Sequence, residues 1–350
     1  GTSWLYALTG GNTGPVTAAE GFVFLSGLVL GMVSRRRVVR DGLRAAIWAT
    51  VLRARTLYLL SVVLTLAFVG LTVGTNLALW VDRALLDDIP SWPALIGSIL
   101  AFRFTWNGTD ILVLYTLLLS AAPLAILLLA RGHAWHLLGL SWTLWLAYQV
   151  APDQAVLPWH IEHATTFPFT AWQALFVTAL TLGYHREGLA AWVERLAHRP
   201  SGPGMAYRLG LGVAACALVL LGVVLTVEQA HATTGTIPAM TALNLFDKPS
   251  LGVGRLAAFA STALLIYLGL TLCWRPIERA IGWLLIPLGQ ASLYAYAVHL
   301  FFILAAYNVP PYVGVVEPGW ELHNTLGQMA LVLLLWALVK QRVLFQVIPR

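Results

Sequence analysis

The sequence predicts an all-α integral membrane protein, a polytopic helical bundle that forms a single domain over residues 1–350. Of the 350 residues, 59% are hydrophobic and only 10% are charged, and the mean hydropathy is +0.77. A soluble domain of this length still exposes about a quarter of the surface of its unfolded chain. So much apolar side chain would leave a soluble protein with a hydrophobic exterior, so lipid must cover much of it.

Nine segments approach the roughly 20 apolar residues that a helix needs to cross about 30 Å of hydrocarbon. The first is short, and we expect the eighth to break near Pro287 and Gly289, because both residue types disturb helices. A surface helix is expected over 187–197, before the breaker sequence at 200–204. The nine predicted spans are 17–33, 56–80, 110–130, 134–151, 169–184, 208–226, 252–273, 281–306 and 325–339.

The basic residues predict the orientation of these spans. Counted over alternate loops, the 21 Lys and Arg residues divide 17 to 4, and the richer side is expected to be cytoplasmic. The C-terminus is then inside and, with nine spans, the N-terminus outside. Residues 1–16 contain no secretory signal, so we expect a further helix before residue 1 and ten spans in the natural protein.

The cysteines and the net charge exclude other classes. Cys216 and Cys273 lie in apolar runs, where thiols behave as small hydrophobes, and they predict neither a disulfide nor a metal site. The formal charge is +6, but the basic residues mark the ends of apolar segments instead of forming one patch. We therefore expect no nucleic-acid partner.

Polar side chains inside a membrane bundle are costly, and each is a candidate for function. One set is expected at the outer level, spread over five different predicted spans. Arg255 could instead snorkel to the interface, and His299 could simply hydrogen-bond a neighbouring helix. The outer set is Glu20, Asp110, Trp172, Gln173, Arg255 and His299.

A second polar set is expected at the inner level. Arg53 and Arg55 stand at the start of the second predicted span and continue into its apolar face. The run from Arg35 to Arg37 is most simply a cytoplasmic anchor, with binding of a headgroup or nucleotide phosphate as the alternative. Two levels of polar residues indicate two substrates.

The outer loops hold two further patterns. His160 and His163, with Glu162 between them, have the spacing of one helical face, but no third metal ligand accompanies them, which favours a solvated loop. Trp159 is one of several tryptophans at outer span ends. The interfacial belt explains these tryptophans, and stacking against sugar rings is the alternative.

Several ordered motifs resemble one family. The run 18–27, AAEGFVFLSG, is too long to arise from apolar composition alone. It resembles the signature of the OpgC-type membrane proteins, the osmoregulated periplasmic glucan succinyltransferases. The similarity continues over nearly the whole chain, through RARTLY at 53–58, DILVLY at 110–115, AWQALF at 171–176, DK at 247–248, LG at 251–252 with Arg255, and LGQASL at 288–293 before His299.

This resemblance implies an activity. Such proteins are expected to have about ten spans, both termini inside, in the bacterial inner membrane. They are expected to transfer an acyl group, here succinyl, from cytoplasmic acyl-CoA to a hydroxyl of an extracytoplasmic glucan, without a metal. Lipid, the glycan acceptor and acyl-CoA are then the partners. The family's Arg-Asp and following histidine, expected to supply the general base, would precede residue 1.

Residue roles follow from that expectation. Glu20, Asp110 and His299 are the catalytic candidates. The acceptor or the acyl carboxylate would be bound by Trp172, Gln173, Lys248 and Arg255, the last because a planar guanidinium suits a carboxylate. Arg53 and Arg55 would bind the phosphates of acyl-CoA. The alternatives are a glycan or lipid transporter or flippase, and a non-catalytic membrane scaffold.

Overall fold

A computed structural model describes residues 3–5, 16–75, 91–106, 108–161, 166–197, 210, 212–223, 225–226, 245–308 and 319–345. The regular elements within these residues are helices. Their bounds are α1 Ala18–Asp41, α2 Leu43–Gly74, α3 Trp92–Leu100, α4 Asp110–Ala130, α5 Ala134–Val150, α6 Phe169–Tyr184, α7 Arg186–Ala197, α8 Gly212–Val223, α9 Val253–Ile277, α10 Trp283–Gln290, α11 Ser292–Asn308 and α12 Glu321–Lys340.

The chain is a multi-pass membrane protein. Five described stretches are long and apolar enough to cross a bilayer: Ala18–Asp41, Leu43–Gly74, Asp110–Ala130, Val253–Gln290 and Glu321–Lys340. Only 17% of the apolar window of the fourth stretch and 11% of that of the fifth are buried inside the protein. Helices that are apolar on their outward faces need lipid around them.

The predicted count of nine spans is not confirmed. The third, fourth and fifth predicted spans match α4, α5 and α6 almost residue for residue, and the predicted surface helix matches α7. However, α5 has 17 residues and α6 has 16. At about 1.5 Å per residue, such helices reach only about 25 Å, slightly less than the hydrocarbon core.

The eighth predicted span, 281–306, is broken close to the predicted position near Pro287 and Gly289. Its first part continues α9 through a π-helical turn at Glu278–Gly282 into α10, and the chain breaks at Ala291 before α11. Pro276 removes a helical N–H and crowds the carbonyl four residues before it. The backbone leaves helical geometry at the neighbouring Cys273, so the kink and the π turn both lie next to this proline.

The connection between α1 and α2 is a single residue. Gly42 has φ +88°, a left-handed conformation that glycine adopts without a Cβ clash. The second span therefore starts at Leu43, well before the predicted residue 56. The prediction that Arg53 and Arg55 stand at the start of this span is therefore wrong. They lie about 15 Å and 18 Å along the helix axis from Leu43.

Helices α1 and α6 touch through their backbones. A Cβ on Gly31 would lie 2.2 Å from the carbonyl oxygen of Leu180, and one on Gly27 would lie 2.4 Å from that of Phe176. Gly183 on α6 makes the reciprocal approach, 2.1 Å from the Leu28 oxygen. Small residues four apart allow this close packing in membranes, and it fixes α1 against the centre of the bundle.

We expect Gly31→Ala to destabilise the protein by on the order of 3 kcal/mol, because the added methyl group has no space at the α1–α6 contact. The measurement is thermal unfolding of the detergent-solubilised protein, followed by circular dichroism. Gly21→Ala is the control on the same helix, since a Cβ there meets nothing within 4 Å. An unfolding midpoint for Gly31→Ala equal to that of the unaltered protein would contradict the close-packing argument.

Candidate functional site

A buried ion pair joins the first described long helix to α9. Arg255 Nε donates a hydrogen bond to Oε1 of Glu20, although the two residues are 235 positions apart. Glu20 is fully buried and Arg255 is 3% exposed. Both residues lie in the first turn of their helices, so the pair holds the beginnings of α1 and α9 together.

The Glu20 carboxylate is fully engaged. Its Oε2 accepts hydrogen bonds from the backbone N–H of Thr17, at 2.9 Å, and from the Thr17 hydroxyl, at 2.6 Å. Thr17 is the residue before α1, and a Glu three positions later that reaches back to it is a capping arrangement. With Arg255 on the other oxygen, Glu20 is placed to hold Arg255 rather than to take a proton.

The Arg255 guanidinium is only partly satisfied. Among the described residues, no atom hydrogen-bonds its buried Nη2. A buried guanidinium nitrogen without a partner is unfavourable, and a carboxylate ligand would remove that penalty through a charge-assisted hydrogen bond.

The loop before α9 is held close to the helix that follows it. Trp145 Nε1 donates to the carbonyl of Leu251 at 3.2 Å, and Gln149 Nε2 donates to that of Ser250 at 2.6 Å. At Gly254, a Cβ would lie 2.6 Å from the Phe246 ring, so a larger residue would have to displace that ring. Helix α5 thus fixes the loop that carries Lys248.

Lys248 brings a second positive charge to the ion pair. Its half-buried ammonium interacts electrostatically with Glu20, Arg255 and Asp110. Burial lowers the pKa of Lys248; Glu20 and Asp110 raise it, while Arg255 lowers it. The Lys248 Nζ also lies 5.3 Å from the centroid of the Phe167 ring, within the range of a cation–π contact.

Trp172 packs against the ring that contacts Lys248. Its ring packs edge-on against Phe167, with centroids 4.9 Å apart, and it is fully buried. Its indole Nε1 has no hydrogen-bond partner among the described residues. Trp172 therefore acts through Phe167 on Lys248.

Asp110 opens α4 beside the same charges. It is 6% exposed, and its Oδ1 accepts a hydrogen bond from the backbone of Ile111 at 2.9 Å. It lies within electrostatic range of Lys248 and of the Tyr296 hydroxyl. Tyr296 also donates to the carbonyl of Gly108, so α11 is tied to the residues just before α4.

His299 belongs to the same corner of the bundle. Its Nδ1 lies 2.6 Å from the carbonyl oxygen of Tyr296 on its own helix, and the two rings are 5.1 Å apart. His299 therefore lies beside Tyr296, and Tyr296 in turn lies within electrostatic range of Asp110. The intramembrane hydrogen bond here stays within α11 and does not join a neighbouring helix.

Gln173 has a different position. Its amide donates to the carbonyls of Ser141, at 2.7 Å, and Thr170, at 3.1 Å, and accepts from the Ser141 hydroxyl at 2.6 Å. These bonds link α5 to α6. The structure does not bring Gln173 into contact with the charged residues around Arg255.

The two arginines on α2 are exposed and do not form a pair. Residues two apart on a helix do not share a face, so Arg53 and Arg55 leave α2 in different directions. The Arg53 guanidinium acts electrostatically on Tyr115. The Tyr115 hydroxyl contacts α1, donating to Phe22 O at 2.6 Å and lying 2.5 Å from Ser26 Oγ.

A basic groove lies at the other end of α1. Arg35 stacks over the ring of Tyr184 at 5.4 Å, and Arg186 lies 3.1 Å from the sulfur of Met32. Glu187 is the carboxylate among the residues that line this groove. The Tyr184 hydroxyl is buried without a partner in the described part of the chain. Because three arginines and one carboxylate line this groove, its positive charge is incompletely neutralised.

A cavity of about 240 Å³ lies beside Asp110. Asp110 lies in its wall, together with residues from the end of α5, the start of α6 and the loop between these helices. His160 of the predicted histidine cluster lines it, whereas Glu162 and His163 lie outside the described residues. The cavity therefore provides open space directly beside Asp110, one of the candidate residues predicted from the sequence.

Sequence reasoning missed three aromatic residues that organise this region: Phe167, Tyr115 and Tyr296. Their ring and hydroxyl contacts join residues that are far apart in the chain. Tyr115 ends the DILVLY run and Tyr296 stands three residues before His299, and this proximity to candidate residues was the available signal.

Taken together, the site around Arg255 contains two carboxylates and two cations: Glu20, Asp110, Lys248 and Arg255. Arg255 and Lys248 can bind an anionic group, and Asp110 can accept hydrogen bonds from a ligand in the cavity. Such a site suits two ligands side by side, one acidic and one rich in hydroxyl groups.

Comparison with known proteins identifies the family. A family model described as OpgC protein matches residues 1–346. Searches of curated proteins and of solved structures gave no match. Because the family model covers almost the whole chain, the protein belongs to the OpgC family.

Proposed function

We propose that this protein is a membrane-embedded O-acyltransferase that moves a succinyl group from cytoplasmic acyl-CoA to a hydroxyl of an extracytoplasmic glucan. The OpgC family is known as a succinyltransferase family. The observation that carries the proposal is the buried Arg255, whose Nη2 lacks a partner in the described structure while its Nε is held by Glu20.

Arg255 and Lys248 would bind the free carboxylate of the succinyl group. Lys248 is within electrostatic range of Glu20, Asp110 and Arg255, and Arg255 is hydrogen-bonded to Glu20. A guanidinium already fixed at Nε offers its remaining donors at little further loss of side-chain entropy. Glu20 is a positioning residue in this scheme, because it touches Arg255 and Thr17 and has no free oxygen.

The transfer exchanges one bond for another. The acceptor oxygen attacks the thioester carbonyl carbon, the new C–O bond forms, and the C–S bond breaks. The hydroxyl proton passes to a base and then to the departing coenzyme A thiolate. Asp110 lines the cavity and would hydrogen-bond the acceptor hydroxyl, while His299, beside Tyr296, would carry a proton.

The donor enters from the opposite side in this proposal. Arg53 and Arg55 lie along α2, and Arg53 is within electrostatic range of Tyr115 near the middle of the bundle. Since the two arginines face different directions, each would contact a different part of acyl-CoA. The bundle around Tyr115 and Ser26 would then separate the donor's phosphates from the charges around Arg255.

We expect Arg255→Ala to lower kcat/KM for succinyl-CoA by about 10- to 100-fold, the loss of one charged hydrogen bond, and to leave acetyl-CoA use nearly unchanged. The measurement is transfer from each labelled donor by the purified protein. Arg103→Ala, an exposed arginine on the same predicted side, is the control. Retained preference for succinyl over acetyl would exclude carboxylate binding by Arg255.

Loss of the buried ion pair could also unfold the protein, since removing one partner destabilises by about 3–5 kcal/mol. Unfolding midpoints are therefore compared first, and Arg255→Lys, which keeps the charge, serves as the folded variant. It should keep part of the succinyl preference. The absence of any acyl-CoA turnover in the unaltered protein would instead favour a transporter or a scaffold.

We expect Arg53→Ala and Arg55→Ala to weaken acyl-CoA binding and leave glycan binding unchanged, because the donor's phosphates lose a cation. The measurement is titration calorimetry with a non-hydrolysable acyl-CoA analogue. Arg35→Ala and Arg36→Ala, in the basic groove at the end of α1, form the comparison. Weaker binding confined to Arg35 and Arg36 would move the donor site to that groove.

A further inference from the structure

The cavity beside Asp110 has walls of a distinctive composition. Two carboxylates, Asp110 and Asp153, line it together with the imidazole of His160. Aromatic side chains complete the lining: Tyr148, Trp159, Phe167 and Phe169. Apart from Asp110 and from Phe167, which contacts Lys248, no group in this wall has a role in the acyl transfer described above.

This composition suits an uncharged ligand with many hydroxyl groups and one apolar face. Ionised carboxylates accept hydrogen bonds from hydroxyls, and aromatic rings supply rigid apolar surface. A pyranose ring has both features, because its C–H groups form a face and its hydroxyls lie around the edge. An anionic ligand would meet two carboxylates here and is disfavoured by the same charges.

The size of the cavity also matches one sugar unit. At about 240 Å³ it falls below the roughly 300–1,000 Å³ of pockets that enclose whole drug-sized molecules. It would therefore hold one residue of a longer chain. The exposed positions of Asp153, Trp159 and His160 place these side chains at the opening, where the rest of the polymer would continue outside the bundle.

The wall is built in advance of binding. Trp159 Nε1 donates to the carbonyl of Phe102 at 3.0 Å, which fixes the indole although the side chain is partly exposed. The backbone N–H of Leu157 donates to Thr170 Oγ1 at 3.1 Å, so the loop is tied to the start of α6. A fixed aromatic wall loses little entropy when a ligand binds.

We infer that this cavity is the acceptor subsite and holds one neutral hexose unit of the glucan, with Trp159 as the stacking platform and Asp153 as a hydroxyl ligand. The inference rests on the proposed function and deepens it. It gives Trp159 a role beyond the interfacial belt. It also identifies the hydroxyl that would be acylated. The sugar hydroxyl nearest Asp110 would be the one that faces the charges around Arg255.

The test measures binding and transfer separately, with a short neutral glucose oligosaccharide as the probe. We expect Trp159→Ala and Asp153→Asn each to weaken binding of the oligosaccharide by about tenfold, as for one lost aromatic or charged contact. Titration calorimetry on the purified full chain gives the dissociation constant. Gln154→Ala is the matched control, since Gln154 is exposed in the same loop and does not line the cavity.

A structural role for Trp159 is separated by Trp159→Phe, which loses the hydrogen bond to Phe102 and keeps a ring. Binding by Trp159→Phe should stay within about threefold of the unaltered protein, as the ring provides most of the contact. Unchanged dissociation constants in Trp159→Ala and Asp153→Asn would overturn the subsite. So would an equal loss in Gln154→Ala.

Failure of the subsite is distinguishable from failure of the proposed function. In both cavity variants the KM for the glucose oligosaccharide should rise, while the KM for succinyl-CoA in the same transfer assay should equal that of the unaltered protein. Transfer with an unchanged KM in both variants would refute the subsite and leave acyl transfer intact. Oligosaccharide binding that needs Trp159 and Asp153, in a protein without acyl-CoA turnover, would support the subsite and refute the transferase.

Discussion

The buried contact between Glu20 and Arg255 is the interaction on which the site depends. Taking two charges out of water carries a large desolvation penalty, which is offset only when the geometry is good and the remaining hydrogen-bonding groups are satisfied. Glu20 meets that condition through Thr17 and Arg255, whereas Arg255 keeps a buried nitrogen without a partner among the described residues. This imbalance is the reason why we propose Arg255, and not Glu20, as the member of the pair that binds a ligand.

The bundle holds this pair in place by two different means. Glycines at the α1–α6 contact bring two backbones together, which fixes α1 and therefore Glu20. Hydrogen bonds from α5 to the loop before α9 fix Lys248 and the start of α9. Because polar side chains inside a membrane must find partners within the protein, the scaffold and the site share the same hydrogen bonds.

Charge is distributed over two separated regions of the protein. One region combines Glu20, Arg255, Lys248 and Asp110, and Asp110 also lines a cavity whose wall contains carboxylates and aromatic rings. Arginines predominate at the opposite end of α1, with Glu187 as the acidic residue in the groove there. Under the proposed function, an acidic acyl group at Arg255, a neutral sugar in the cavity and the donor phosphates at Arg53 and Arg55 would each meet suitable chemistry.

The sequence by itself determined the membrane class, the helical fold and the bounds of α4, α5 and α6, because apolar length is a local signal. It also selected Glu20, Asp110, Lys248 and Arg255 as candidates, and the structure brings these four charges together. Only the tertiary structure decided that Gln173 joins α5 to α6, that α2 begins at Leu43, that α9 continues through a π turn into α10, and that Tyr296, Phe167 and Trp159 lie near the charged residues. These outcomes depend on a one-residue turn, on proline-induced kinks and on contacts between residues far apart in the chain, and the spacing of residue types along the chain does not encode which of them will meet.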